Sequence, residues 1–454
     1  MHVYDPIYGR VKISLELEEV YLSKQFRRLS QLRQMGLCCL AFPGGNHTRF
    51  EHCLGTAEVA SKMAYGAIKT SSLRSSDGMR LRLLTIAAAM CHDIGHGPFS
   101  HMTENVLVGL GSKISHEAVG SAIVRTSLRS CFSPLKQSGV TPELIASVIT
   151  HTPGEDPMLR AASTWVSSDL DADRIDYLNR DSYYMRGNMS PIVATSEFSG
   201  IWSMDRVGST FVPVLTDKGV RIAERILMAR RDNNRELIFE SRHMAATGMF
   251  EKAMVAAIEN GGKIADIVSL ARDAEIDSSD ADLEHLHSQL RRVWPIYGLN
   301  DSQLIQILLH NSGEQSAYLI DKVKRGDVFY SACRLKWTEI HSAAREVLLG
   351  LSSQASAFRM RRKLETRISE KFDIEKEHIL IALSIPKTPK RLMVATGGFS
   401  MLADVSPISR MLEEDVLLSY NIELYVDGNI NHIVSKLIEE FKRIFLDGLL
   451  IEVG

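Results

Sequence analysis

Apolar residues recur at three- and four-residue spacing through most of the first 330 positions, broken by short polar stretches such as Ser71-Ser72-Leu73-Arg74-Ser75-Ser76-Asp77-Gly78. That period puts one face of each segment on a core and predicts a helical architecture over 1–330. One start is explicit: Thr141-Pro142-Glu143-Leu144 joins an N-cap hydroxyl to a proline in the first turn, where its missing N–H costs nothing. Beyond about residue 370 the period changes. Residues 379–385, 392–395 and 422–426 read as strands, the last alternating cleanly into Asp427-Gly428. Ile430, Ile433, Val434, Leu437, Ile438, Phe441 and Phe445 then return at helical spacing, which predicts one amphipathic helix covering a small sheet. The expected division is a mainly α portion over 1–330 and an α+β lobe over 331–454, with no Pro-rich, Gly/Ser-rich or repeated segment as a linker.

Charge and composition narrow the function classes. With 53 Lys+Arg against 55 Asp+Glu the net charge is −2, which argues against a nonspecific nucleic-acid coat protein. Hydrophobic residues make up 45% and charged residues 24%, enough apolar side chain to close a large core, so disorder is excluded for most of the chain. The most apolar run, residues 83–91, is under half a membrane span, and the first residues show no basic-then-apolar signal pattern; a soluble, cytoplasmic protein is expected. Cys38, Cys39, Cys53, Cys91, Cys131 and Cys333 form no C-x-x-C pair and read as reduced core residues.

Chemistry concentrates in three islands: Asn46-His47-Thr48-Arg49-Phe50-Glu51-His52, Cys91-His92-Asp93-Ile94-Gly95-His96-Gly97-Pro98-Phe99-Ser100-His101, and the acidic stretch from Asp169 to Asp181. The second is the most telling. An alanine-rich helix that must be buried ends in His92-Asp93, just before two glycines break it. Burying an imidazole and a carboxylate is costly unless they are paired or bound to a cation, and a metal satisfies both. In the third island Asp173, Tyr177 and Asp181 lie at i, i+4 and i+8 on one helical face, while Leu170 and Leu178 point to the core. Spacing alone does not choose among Asp169, Asp171, Asp173 and Asp176 as a ligand.

His52, His92-Asp93 and Asp173 reproduce the H…HD…D pattern of the HD-domain metallophosphohydrolases. The words HTRFEHCLGT, CHDIGHGPFSH and DADRIDYLNRD resemble the SAM-and-HD-domain deoxynucleoside triphosphate triphosphohydrolases and their bacterial relatives. The likeness starts at Asp5-Pro6-Ile7-Tyr8-Gly9, is specific to about residue 187, and includes no SAM domain. It implies a mainly α fold: a helical, phosphodiesterase-like HD core, its motif region about 45–185, with the small C-terminal lobe. It implies His52, His92, Asp93 and Asp173 as ligands of a divalent ion (Mn, Fe, Zn, Ni, Co or Mg), leaving octahedral positions for a water and a phosphate oxygen. A second Mg on the phosphates would accompany it.

By the same resemblance His96 and His101 meet the phosphates and sugar, and His116 protonates the leaving 5′ oxygen. Glu104 would orient His116 where relatives more often have Asp. Arg49, Arg174 and Arg230 would bind phosphates, Gln34 and Asp181 the 3′-hydroxyl, and Tyr177 with Met35 the sugar. His47 has no assigned role and is expected in a turn or behind the ligands. Two departures stand out. Near Leu22 to Ser30 the chain lacks, at the matching positions, the acid and arginine that line an activator site in animal members, and the family's tyrosine and His-Lys pair would fall at Ile238 and Glu240-Ser241. Base preference and regulation therefore do not carry over.

The reaction implied is dNTP plus water to deoxynucleoside and triphosphate, in antiphage defence or nucleotide-pool control, by a homo-oligomer with a nucleotide effector. The alternatives are another HD-domain phosphoesterase, a nucleotidase or single-strand nuclease, and an inactive nucleic-acid-binding regulator. The basic run Arg359, Arg361, Arg362, Lys363, Arg367 is the feature that would give the last a weak hold on single strands, although such a run is more often a solvated face.

Overall fold

The computed structural model describes residues 1–187, 190–207, 210–277, 280–351, 353–383, 393–395, 399–415 and 421–447. Helices dominate, and Thr141 Oγ1 accepts from Leu144 N as its N-cap position demands. The first 330 residues are nevertheless not all helix. β1 (His2–Asp5) and β2 (Gly9–Lys12) form one antiparallel hairpin, β3 (Trp202–Val207) and β4 (Thr210–Leu215) another. Among the described side chains of β3, Trp202 and Met204 turn inward to the core, too few to register as a period-2 signal between helical segments.

The remaining strands are β5 (Tyr330–Lys336), β6 (Ile379–Leu383), β7 (Met393–Ala395), β8 (Phe399–Met401) and β9 (Asn421–Val426). The small sheet expected near the end of the chain has the order β5-β9-β6, all antiparallel. The helix Val434–Leu446 buries Leu437, Phe441, Ile444 and Phe445 in the core beneath it. β5 was not anticipated. The strand expected at 392–395 does not join this sheet: β7 runs parallel to β4 through Leu215 and Val394, giving the order β3-β4-β7-β8. Ser384, Ile385 and Leu392, read as strand, lie outside the described residues.

A large apolar cluster fills the helical portion, and a second one, around Leu335, Leu364, Ile381, Leu424 and Phe441, fills the lobe. Ion pairs join them: Lys252 with Glu365 at 2.6 Å and Arg361 with Glu251 at 2.5 Å. All six cysteines are free, and four of them are buried. Among the described residues no helix is long and apolar enough to cross a membrane.

Three helices position the chemistry. Arg49–Lys69 opens on a capping box between Thr48 and Glu51. Ser75–Cys91 buries its alanine-rich end and hands the chain to His92 at its C-cap. Ala172–Arg186 starts at the N-cap Asp171 and stops at Gly187, whose φ of +65° closes the last turn.

Candidate metal centre

His52, from the first turn of Arg49–Lys69, is fully buried. Its Nε2 lies 3.2 Å from His92 Nε2, 3.0 Å from Asp173 Oδ1 and 3.7 Å from Asp93 Oδ2. His92 Nε2 is 3.4 Å from Asp93 Oδ1 and 3.7 Å from Asp173 Oδ1. Both rings are tied from behind. His52 Nδ1–H donates to Asp176 Oδ2 at 2.8 Å, and His92 Nδ1–H to the Ala89 carbonyl at 2.8 Å. With each Nδ1 carrying its proton, the two Nε2 lone pairs and an Asp93 oxygen lie within 4.8 Å of one another, and Asp173 approaches the two imidazoles from the side. Such a donor set is electrostatically unfavourable unless a cation sits within it, so the four residues fit a divalent metal. Without a cation the same carboxylates draw a proton onto the imidazole instead, a charge that a metal would replace. Burial opposes charge on His52, but its hydrogen bonds to Asp173 and Asp176 outweigh that and push its pKa up to about 10.

Geometry separates the four acids that spacing left open. Asp173 reaches the imidazoles; Asp171 is the N-cap, accepting from Arg174 N at 2.6 Å; Asp169 faces Arg174 and Arg230; Asp176 stands behind His52. Arg180 is wholly buried and holds Asp176 through Nε at 2.9 Å and Nη2 at 3.0 Å.

The loop after His92 carries a second group of donors: His96, His101, Glu104 and His116 offer ligand-type atoms within 4.8 Å of one another. His96 stacks on His116 with ring centroids 3.7 Å apart and 15° between planes. Gly95 permits this approach, because a Cβ there would lie 2.0 Å from the His116 carbonyl oxygen and 2.3 Å from Gly120 N. Glu104 accepts from His116 Nδ1 at 3.1 Å and from His101 Nδ1 at 3.1 Å. Burial disfavours the Glu104 carboxylate, but these imidazole bonds hold it well below the usual carboxylate range. Burial likewise disfavours charge on His116, and Glu104 overrides it, raising the imidazole above its ordinary value. His96 moves the other way, since burial and the Arg49 charge both push it down.

Two residues that sequence reasoning missed fix this loop. Arg28 donates to the Ile94 carbonyl at 3.1 Å and the His96 carbonyl at 2.6 Å. Burial lowers its pKa to about 10, which still leaves it charged. Asp301 accepts from Phe99 N at 2.8 Å and Arg33 N at 3.0 Å. Phe99 and Ser100 have φ of 53° and 49°, a left-handed conformation that these anchors hold in place. The only signal available was a lone Arg and a lone Asp far from the motifs.

The other candidates surround the cluster. Arg49 is buried, pairs with Asp93 and donates through Nε to Ser100 Oγ at 2.6 Å. Arg174 and Arg230 share Asp169 Oδ1 at 3.2 and 3.4 Å, so Arg230 is an ion-paired, half-buried residue. Tyr177 is half-buried. Asp181 has both oxygens engaged, by His47 Nε2 at 2.9 Å and Asn233 Nδ2 at 3.3 Å, and His47 stacks on Tyr184. Gln34 N donates to the His47 carbonyl, and Gln34 Oε1 is buried without a hydrogen-bond partner. Met35 stands at the N-cap of the short turn Gly36–Leu40. Of the basic run, Arg361 and Arg362 are taken up by Glu251 and Glu259, whereas Arg359 and Lys363 face solvent.

The HD domain family model matches residues 49–181, a span that contains His52, His92, Asp93 and Asp173. The chain contains an HD domain. This HD-domain protein is 24% identical over 450 residues to an uncharacterized protein of Methanocaldococcus jannaschii, covering 96% of the chain and 84% of the archaeal protein. It is more distantly similar to the deoxynucleoside triphosphate triphosphohydrolase SAMHD1 homolog of Dictyostelium discoideum: 30% identical over 203 residues, covering 44% of this chain and 39% of that one. Of its other curated relatives the HD-domain chain spans a third to just over a half of their length. A crystal structure of a phosphohydrolase from Bacteroides thetaiotaomicron has the same fold, with a TM-score of 0.65 and 19% identity, covering 94% of this chain and 99% of that one.

Proposed function

We propose that this HD-domain protein hydrolyses deoxynucleoside triphosphates to deoxynucleoside and inorganic triphosphate. The observation that carries the metal dependence is the facing of His52 Nε2 and His92 Nε2 across 3.2 Å between the carboxylates of Asp93 and Asp173. A divalent cation held there would polarise the α-phosphate and acidify a water. In this reading water adds to the α-phosphorus, the bond from phosphorus to the 5′ oxygen breaks, and His116 supplies that oxygen with a proton. Glu104, 3.1 Å from His116 Nδ1, keeps the imidazole charged for that task. Arg174, between Asp169 and Asp171, and Arg230, on Asp169, are the forked donors that would exchange these carboxylates for phosphate oxygens in this reading. Gln34 Oε1, buried and unpartnered, offers an acceptor to a sugar hydroxyl.

One observation favours a second reading, a different phosphoester on the same centre: Asp181, the expected 3′-hydroxyl partner, already has both oxygens engaged. Products distinguish the two. Purified protein is incubated with each dNTP, with NTPs and with single-stranded oligonucleotide, with Mn²⁺, Mg²⁺, Fe²⁺ or Co²⁺ added. Triphosphate and deoxynucleoside support the first reading; monophosphate or shortened oligonucleotide supports the second.

A further inference from the structure

Asp5-Pro6-Ile7-Tyr8-Gly9 opens the stretch that resembles other HD-domain enzymes, yet it contributes nothing to the centre described so far. The Asp5 side chain has two sets of partners. Its Oδ1 accepts from Ile7 N at 2.8 Å and Tyr8 N at 3.0 Å, closing the turn between β1 and β2, where Gly9 takes φ +71°. Its Oδ2 lies 2.9 Å from Arg180 Nη1. Arg180 turns its other nitrogens onto Asp176, and Asp176 accepts from His52 Nδ1–H. Four side chains in a row, Asp5, Arg180, Asp176 and His52, thus run from the N-terminal hairpin to the imidazole whose Nε2 faces the donor cluster, and all four are buried.

The surrounding structure makes room for this row. On the His52 helix, a Cβ at Gly55 would lie 1.9 Å from Asp176 Oδ1 and 2.4 Å from Arg180 Nη2, so glycine is the residue that lets the pair pass. The Tyr8 ring lies beside the Arg180 guanidinium, 5.9 Å from centroid to Cζ. A fully buried guanidinium needs opposing charge. With Asp5 at one end, the buried charge of Arg180 is matched on both sides, by the ion pair with Asp5 and by the hydrogen bonds to Asp176. Without it, Arg180 would rest on Asp176 alone and draw that carboxylate away from His52. A carboxylate on Nδ1–H fixes the tautomer of a metal-binding histidine and raises its basicity.

We propose that Asp5 is a positioning residue for His52, acting through Arg180 and Asp176, so that the N-terminal hairpin sets how tightly the centre holds a divalent cation. The inference rests on the metal-centre reading above. Its alternative is an ion pair that only fastens the hairpin to the helical core.

The test is Mn²⁺ binding to metal-stripped protein, with free Mn²⁺ read by electron paramagnetic resonance and thermal melts of the metal-free proteins alongside. Wild type, Asp5→Asn, Asp176→Asn and the double variant are compared. Asn at position 5 retains an oxygen for Ile7 and Tyr8 N–H, so the turn persists while the charge facing Arg180 is lost. Asp176→Asn is expected to weaken Mn²⁺ binding by about 10–100-fold, and Asp5→Asn by about tenfold. The double variant should bind no more weakly than Asp176→Asn, because Asp5 acts only through that carboxylate. Wild-type affinity in Asp5→Asn, whether or not its melting temperature drops, overturns the inference and leaves the metal centre standing. So do losses that multiply in the double variant. If wild type itself takes up no Mn²⁺, the metal-centre reading falls and the inference with it.

Discussion

At the scale of single residues, the two imidazole groups of the centre differ in what they need. His52 and His92 are locked by acceptors on Nδ1 and present Nε2, an arrangement suited to holding a cation. Asp173→Ala should therefore abolish hydrolysis and lower bound metal in a protein that still folds, checked by metal analysis beside a melt; full activity would move the ligand role to another acid. His116 is instead held by carboxylates, Glu104 on Nδ1 and Glu117 3.3 Å from Nε2, and its pKa is raised. A raised pKa keeps the acid form present at higher pH than an ordinary imidazole near 6.5, and activity is lost as pH climbs through that raised value. His116→Ala should lower kcat by about 10²–10⁴ with a smaller change in KM. Glu104→Gln removes the group that raises His116, so the alkaline limb of the kcat profile should move to lower pH. An unmoved limb would detach Glu104 from the proton.

At the scale of elements, the helix Ala172–Arg186 shows how sequence spacing becomes a ruler. Asp173, Tyr177 and Asp181 rise along one face, and the first of them meets the histidines, so a sugar one turn beyond the α-phosphate would lie against Tyr177. Tyr177→Ala should narrow the preference for dNTP over NTP while lowering the overall rate; a ratio unchanged beside a lower melting temperature would mark Tyr177 as packing alone. Much of this was legible beforehand. The alanine-rich helix ending in His92-Asp93 and the three-residue face could be read from period and composition, because both signals are local. What sorted Asp169, Asp171, Asp173 and Asp176 was not local: it depends on a capping bond, two arginines and the approach of a helix 120 residues earlier. Arg180 illustrates the limit, since an arginine on an acidic helix reads as a surface partner, and only a second carboxylate from residue 5 makes its burial tolerable. Arg28 and Asp301 were invisible for the same reason, as each acts on the loop from a distant part of the chain.

At the scale of the whole molecule, the change of period near residue 370 corresponds to a real second apolar core, but the strands do not sort by it. Hairpins β1–β2 and β3–β4 escaped notice because four- to six-residue strands between helices offer too short a run for alternation, and β7 was placed in the wrong sheet because pairing partners are not written in a strand's own residues. The parallel contact between Leu215 and Val394 has a practical outcome. If 331–454 is a domain, as we propose from the pattern, it still lends a strand to its neighbour. A chain ending at residue 330 should keep the HD motifs yet leave β4 with a bare edge, and edges of that kind recruit other chains. Light scattering on that shortened protein is expected to report self-association beyond that of the full chain; assembly no larger than the full chain's would show the edge to be harmless. The lobe is consequently not an exchangeable cassette: any graft or swap made at a single seam severs a sheet, and only one that carries 393–401 along with the helical portion respects how the chain is woven.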